Sequence, residues 1–145
     1  MASIKDLLAR KDGDLLVAAA DTTVLDAAEQ MNARGTGSVL VMEDGKLIGI
    51  FTERDLMRRV VAVRRNAEST TLRDVMTTAL VTATPDATSS DCGALMSERR
   101  IRHLPVIDGD KVLGVITTGD LLAHELREKE ATIQQLEAFV FYVRQ

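Results

Sequence analysis

The sequence predicts a mixed α/β (α+β) fold: two copies of a strand–helix–hairpin–helix unit, βαββα, followed by a C-terminal helix. Three observations predict it. First, Gly49-Ile50-Phe51-Thr52-Glu53-Arg54-Asp55 recurs as Gly114-Val115-Ile116-Thr117-Thr118-Gly119-Asp120, an offset of 65 residues. Second, the same offset holds unbroken from Asp21/Asp86 to Leu56/Leu121, pairing Thr23 with Thr88, Met31 with Met96 and Val41 with Val106. A register kept through strands and helices marks a duplicated structural unit. Third, Leu122, Leu126, Ile133, Leu136 and Val140 recur at helical spacing past the end of the repeat.

The chain of 145 residues allows one domain, or two small units sharing a core. A repeat this short is marginal alone, so the halves are expected to pack together. A net charge of −4 argues against a general nucleic-acid surface, and any anion site must be built locally. The single Cys92 excludes an internal disulfide and suits a reducing compartment. No apolar run is long enough to span a bilayer, and Met1 to Asp6 lacks a signal-peptide core. A cytoplasmic location, with neither membrane nor nucleic-acid partner, is expected.

In chain order, Ile4 to Leu8 reads as a short amphipathic helix whose counterpart is Leu72 to Met76. The offset here is 68, so the first copy carries three extra residues around Lys11-Asp12-Gly13-Asp14, expected on a surface turn. Leu15 to Ala18 and Leu80 to Ala83 read as strands. Thr23 and Thr88 then suit helix N-caps, because a side-chain oxygen there can accept a free backbone N–H. Val24, Ala27, Ala28 and Met31 share one face of the first helix, as Cys92, Leu95 and Met96 do in the second. Cys92 takes the place of Ala27, which reads as a small core residue.

Gly35-Thr36-Gly37 ends the first helix. Ser38 to Met42, the turn Glu43-Asp44-Gly45-Lys46 and Leu47 to Phe51 read as a hairpin, repeated from His103 to Ile116. Pro105 suggests the start of a strand or an edge. Helices are expected to begin near Leu56 and Leu121. The polar stretch 64–70 is a linker, which gives a first repeat over 3–63, a second over 71–124 and a C-terminal helix and tail over 125–145. Phe139, Phe141 and Tyr142 lie in that tail, which is expected to pack on another surface.

With these residues in place, the chain resembles a tandem pair of cystathionine-β-synthase (CBS) domains. The resemblance rests on Arg73-Asp74-Val75-Met76-Thr77, on Ile101-Arg102-His103-Leu104-Pro105-Val106-Ile107-Asp108 and on the two Gly-to-Asp stretches. It covers nearly the whole chain, and the segment Glu128 to Glu137 resembles the tail of stand-alone bacterial CBS-pair proteins. The resemblance implies one pseudo-twofold module with two clefts that take adenosine compounds: AMP, ADP, ATP, NAD or S-adenosylmethionine. In that family the Thr-x-x-Asp carboxylate takes the ribose hydroxyls, the Thr or Ser lies near phosphate, and the adenine contacts backbone of the partner repeat. Carried over, Thr117, Thr118 and Asp120 serve one cleft, walled by Val17-Ala18 and Thr36-Gly37-Ser38-Val39. Thr52, Arg54 and Asp55 serve the other, walled by Thr82-Ala83 and Ile101-Arg102-His103-Leu104-Pro105, with Arg102 and His103 placed for phosphate. Gly37-Ser38 stands where the second copy has Arg102-His103, so the clefts are expected to differ, the first having no cation at those positions.

The chemistry supports this reading without requiring it. A carboxylate accepts two hydroxyl hydrogens and so suits a ribose diol. A helix N-terminus offers N–H groups to phosphate, and Gly119 and Gly37 permit close backbone approach. Thr-x-x-Asp before a helix is equally an ordinary cap. Spacing alone favours the cap; the duplication and the family pattern favour a ligand. His103, His124 and Cys92 show no metal-ligand spacing, and no nucleophile–base pair is evident. The expectation is therefore a non-enzymatic signal-transduction and energy-sensing module. It binds an adenine nucleotide, has no catalytic cofactor or metal, forms a homodimer and acts on a further protein partner. The alternatives are a ligand-free dimerisation or scaffold module and, less favoured, an enzyme that hydrolyses or transfers phosphate.

Overall fold

The computed structural model describes residues 2–11 and 15–140, with side chains described through residue 135. The first repeat comprises α1 (Ile4–Ala9), β1 (Val17–Ala19), α2 (Val24–Arg34), β2 (Ser38–Glu43), β3 (Lys46–Thr52) and α3 (Glu53–Asp55). From α3 the chain runs into a π-helical stretch, Leu56–Val61. The second comprises α4 (Leu72–Val75), α5 (Ser89–Arg99), β4 (His103–Asp108), β5 (Lys111–Thr117) and the long α6 (Thr118–Val140). One sheet has the order β1-β2-β3, with β1 parallel to β2 and β2 antiparallel to β3; the other is the antiparallel pair β4-β5.

The local chemistry of the two copies matches closely. Thr23 Oγ1 accepts the Asp26 N–H at 3.2 Å and Thr88 Oγ1 accepts the Asp91 N–H at 3.1 Å, so both threonines are N-caps. The β2–β3 turn puts Asp44 and Gly45 both at positive φ, the geometry of a tight two-residue hairpin. Both hairpins carry a register shift at the same place, between Val41 and Met42 and between Val106 and Ile107. Side chains alternate across β2 and β3. Val39, Val41 and Phe51 enter the first repeat's core, while Leu40 and Ile50 meet Val115 of β5 between the two sheets.

Neither repeat fills its own core. Ile4 and Leu7 of α1 pack with Cys92, Met96, Leu104 and Ile116 of the second repeat. Leu72 and Val75 of α4 pack with Val24, Phe51 and Val60 of the first. The short helices are exchanged, and glycines let their chains cross the sheets. A Cβ on Gly49 would come within 2.5 Å of Met76 Sδ, and one on Gly114 within 2.7 Å of Leu8 Cδ2.

Several expectations need correction. Leu80 to Ala83 is not a strand; it makes only the isolated bridge of Ala83 to Val106. The cause is Pro105. In the first copy the Leu40 N–H donates to Leu16 O at 3.0 Å, but Pro105, at the equivalent place, has no N–H to offer. The Ala83 N–H still donates to Pro105 O at 2.9 Å, so half of the ladder survives. Pro105 accordingly lies within β4, on its outer side, rather than at the start of the strand. The helix expected from Leu56 is wound as a π-helix, with the Ala62 N–H donating to Met57 O at 2.8 Å. The first strand is Val17–Ala19, so Leu15 and Leu16 precede it.

Exchange makes a stability prediction. Ile4 is fully buried, so Ile4→Ala should cost about 2–5 kcal/mol, and Leu72→Ala a similar amount. Chemical denaturation measures both. A loss below about 1 kcal/mol for Ile4→Ala would show that α1 is not part of the second core.

Candidate functional site

Each Thr-x-x-Asp stretch closes a hairpin into a helix through a reciprocal cap. The Thr117 N–H donates to Asp120 Oδ2 at 2.8 Å, and the Asp120 N–H donates to Thr117 Oγ1 at 3.0 Å. Thr52 and Asp55 repeat this at 3.0 and 3.3 Å. The adjoining amides tie each motif to the other hairpin strand: Glu53 N–H to Gly37 O at 3.0 Å, Thr118 N–H to Arg102 O at 3.1 Å. The cap is thus real in both copies, and what distinguishes them is what else each carboxylate holds.

Asp55 is saturated by its own protein. The Thr52 hydroxyl donates to Oδ2 at 3.2 Å and the Thr77 hydroxyl approaches Oδ1 at 3.1 Å. Arg59 Nε lies 3.7 Å from Oδ1, and the Asp55 residue is only 7% exposed. Arg59 also donates through Nη1 to Met76 O at 3.0 Å, so it staples the π-helical stretch to the end of α4.

Asp120 is less encumbered. Lys11 Nζ donates to Oδ2 at 2.9 Å, and among the described residues no hydrogen bond falls on Oδ1. At the position equivalent to Arg59 stands His124, whose Nε2 lies 3.1 Å from Glu128 Oε1 but off the line of a hydrogen bond. Burial alone would push the Asp120 carboxyl up, yet the Thr117 amide and the Lys11 ammonium together hold it below the usual carboxylate range.

A cavity of about 410 Å³ opens beside Asp120. Of the residues expected there, Thr36, Gly37, Ser38, Thr117 and Asp120 line it. Val17, Ala18 and Val39 do not: Leu15 and Leu16 form that wall, and Val39 points into the first core. Thr118 is exposed on the first turn of α6 and joins the site through its backbone. A second cavity, of about 530 Å³, brings together Thr52, Arg54, Asp55, Ile101, Arg102 and His103. Thr82, Ala83, Leu104 and Pro105 fall outside it. Leu104 is core, and the 80–83 segment, lacking the Pro105 bond, follows β4 only at Ala83.

The two cavities share a thin wall at Gly37. A Cβ there would meet Glu53 Oε1 at 2.6 Å and His103 Nε2 at 3.1 Å. Burial is the main force lowering the His103 pKa; Glu53 pulls the other way, and Lys11 and Arg102 add to the lowering. Burial thus disfavours the charged form of His103 relative to an ordinary histidine.

Sequence reasoning missed several lining residues. Lys11 and Arg34 bring cations to the Asp120 cavity from positions other than Gly37-Ser38, which carry none as expected. Arg58, Arg59 and Thr77 join the Asp55 cavity. Lys11 had a signal, since it stands where the register of the duplication breaks.

The comparisons with known proteins agree with this architecture. The family model for the CBS domain matches residues 4–62 and again 72–127. The chain is 33% identical to the mitochondrial CBS domain-containing protein CBSX3 of Arabidopsis thaliana, over 95% of this chain and 71% of that one. It is 30% identical to the CBS domain-containing protein YhcV of Bacillus subtilis, over 90% and 91% of the two chains. The solved CBS-domain protein ATU1752 of Agrobacterium tumefaciens superposes with a TM-score of 0.80 at 31% identity, covering 86% of this chain and 99% of that one. The CBS domain pair of protein MJ0100 was solved with 5′-methylthioadenosine and S-adenosyl-L-methionine. It shares the fold at a TM-score of 0.75 and 23% identity, over 88% and 98% of the chains. With two matched domains, two exchanged helices and two capped clefts, this chain belongs to the CBS domain family as a tandem pair.

Proposed function

We propose that the protein is a cytoplasmic regulatory module that senses an adenine nucleotide, with the Asp120 cleft as its ribose site. One observation carries the reading: among the described residues no hydrogen bond falls on Asp120 Oδ1, which lies beside a cavity whose walls offer apolar surface, backbone and cations. Leu15, Leu16 and Val115 give a purine an apolar slot, the 35–38 backbone gives its edge polar partners, and Asp120 accepts the diol. The adenosine ligands in the MJ0100 pair support the class of ligand. The Asp55 cleft, its carboxylate already satisfied, suits the anionic part of a ligand, which Arg58 and Arg102 face. The reading is of binding without turnover, with output through a change in shape or association, since a ligand acts only by favouring one of two states.

The association surface follows from the duplication. Met57 and Val61 are 55% and 66% exposed, and Leu122 and Leu126, at the equivalent places on α6, are 57% and 53% exposed. Ile133 continues this apolar stripe along α6, toward Leu136, Val140 and the aromatic tail, whose side chains lie outside the described residues. Two matching apolar faces on one molecule suit an isologous dimer, in which each copy offers the same surface. Burying large apolar side chains gains roughly 1.5–3 kcal/mol each.

Asp120→Ala should weaken AMP, ATP or NAD binding by roughly 1.5–3 kcal/mol while the fold persists. Isothermal calorimetry measures this, and unchanged affinity for a ligand the native protein binds would refute the ribose assignment. Truncation after Glu130 should weaken or abolish the dimer in light scattering; intact association would place the interface elsewhere. His103 supplies a pH signature. Its folded pKa lies below the ordinary 6.5, so the unfolded chain binds the proton more readily. Stability should be full above pH 6.5 and fall as pH drops from there toward the folded value, a step that His103→Gln should remove from a melting-temperature profile. A step of the same size in the variant would assign it to another group.

A further inference from the structure

Lys11 and Thr77 do the same job in the two halves with different chemistry. Thr77 follows the exchanged helix α4. Its N–H donates to Ile50 O at 2.8 Å and its hydroxyl bonds to Asp55. Lys11 follows the exchanged helix α1. Its Nζ donates to Val115 O at 2.6 Å and to Asp120 at 2.9 Å. Val115 and Asp120 are the duplicates of Ile50 and Asp55. A neutral amide and hydroxyl in one half are thus replaced by one ammonium in the other.

That replacement sets the charge of the Asp120 cleft. An ammonium has three N–H donors, and two are placed on Asp120 and Val115. The third is available to a ligand, and the four-carbon stem lets the head turn without losing its anchor. The pair is partly open to solvent, with side chains 36% and 29% exposed, so a ligand can reach it. Without Lys11, an anionic ligand would meet the bare Asp120 carboxylate; with it, the pair is neutral and presents a donor. Ser38, which duplicates His103, brings no cation to this wall, and Arg34 is the other basic residue lining it.

We propose that Lys11 makes the Asp120 cleft selective for a ribonucleoside with an anionic 5′ substituent, such as a 5′-phosphate, over one whose 5′ substituent is uncharged or cationic. The proposal rests on the ribose assignment of Asp120. Lys11 here determines specificity: the ribose hydroxyls go to the carboxylate, and the phosphate takes the remaining ammonium donor.

The test is calorimetry of AMP and adenosine against the native protein, Lys11→Gln and Lys11→Arg, with circular dichroism confirming the fold of each. In Lys11→Gln the preference for AMP over adenosine should fall at least tenfold, while Lys11→Arg retains most of it. The AMP affinity of the native protein should also weaken more steeply with added salt than that of Lys11→Gln. If Lys11 only props Asp120 in place, both ligands weaken equally and the preference is unchanged, which overturns the proposal but leaves the ribose site standing. If AMP and adenosine bind Asp120→Ala as well as the native protein, or bind neither, the ribose assignment itself fails and the Lys11 proposal with it. Should Lys11→Gln not fold, Lys11→Met decides the same question by the same two measurements.

Discussion

The structure depends on the exchange of two short helices, α1 and α4. Within each repeat the sheet and its own longer helices leave part of the core uncovered. The missing cover comes from the other half, as α1 seals the second core and α4 the first. The exchange also builds the clefts. The residues that leave each borrowed helix pass under a glycine of the host hairpin and arrive at the host's aspartate, Lys11 at Asp120 and Thr77 at Asp55. Folding and site formation are one event, because the groups that complete each carboxylate arrive on the helix that completes each core.

Duplication supplied the frame, and divergence within it made two different sites. The backbone features coincide: the caps, the register shifts and the amide links to Gly37 and Arg102. The side chains that touch the two aspartates do not. Arg59 reaches back to Asp55, whereas its duplicate His124 sits beside Glu128 one turn further along α6. Asp55 is therefore held by Thr52, Thr77 and Arg59, and Asp120 by Thr117 and Lys11.

The fold was legible because its determinants are local and repeated. The caps at Thr23 and Thr88, the Asp44-Gly45 turn and the buried faces of Met31 and Met96 follow from residue type and spacing. Helix exchange was not legible, since Ile4 and Leu72 look alike and periodicity does not say which core each fills. The strand expected at 80–83 failed for a reason present in the sequence, but the missing donor of Pro105 matters only once its neighbour is known. The motif residues named from the sequence line the two cavities, but much of what surrounds them was not legible. Lys11 and Thr77 reach the clefts across long stretches of chain, and no spacing reveals the burial that lowers the His103 pKa.

The proline of β4 has a consequence for how the molecule breathes. Local opening costs least where backbone bonds are few, and such regions exchange their amide hydrogens first. Along residues 80–82 the second sheet lacks the bond that its twin makes from Leu40 to Leu16. The two halves therefore differ in rigidity as well as in charge. The seam beside Ala83 is the natural place for the second half to loosen while β1 stays locked to β2, so a nearly symmetric module has one side that yields first.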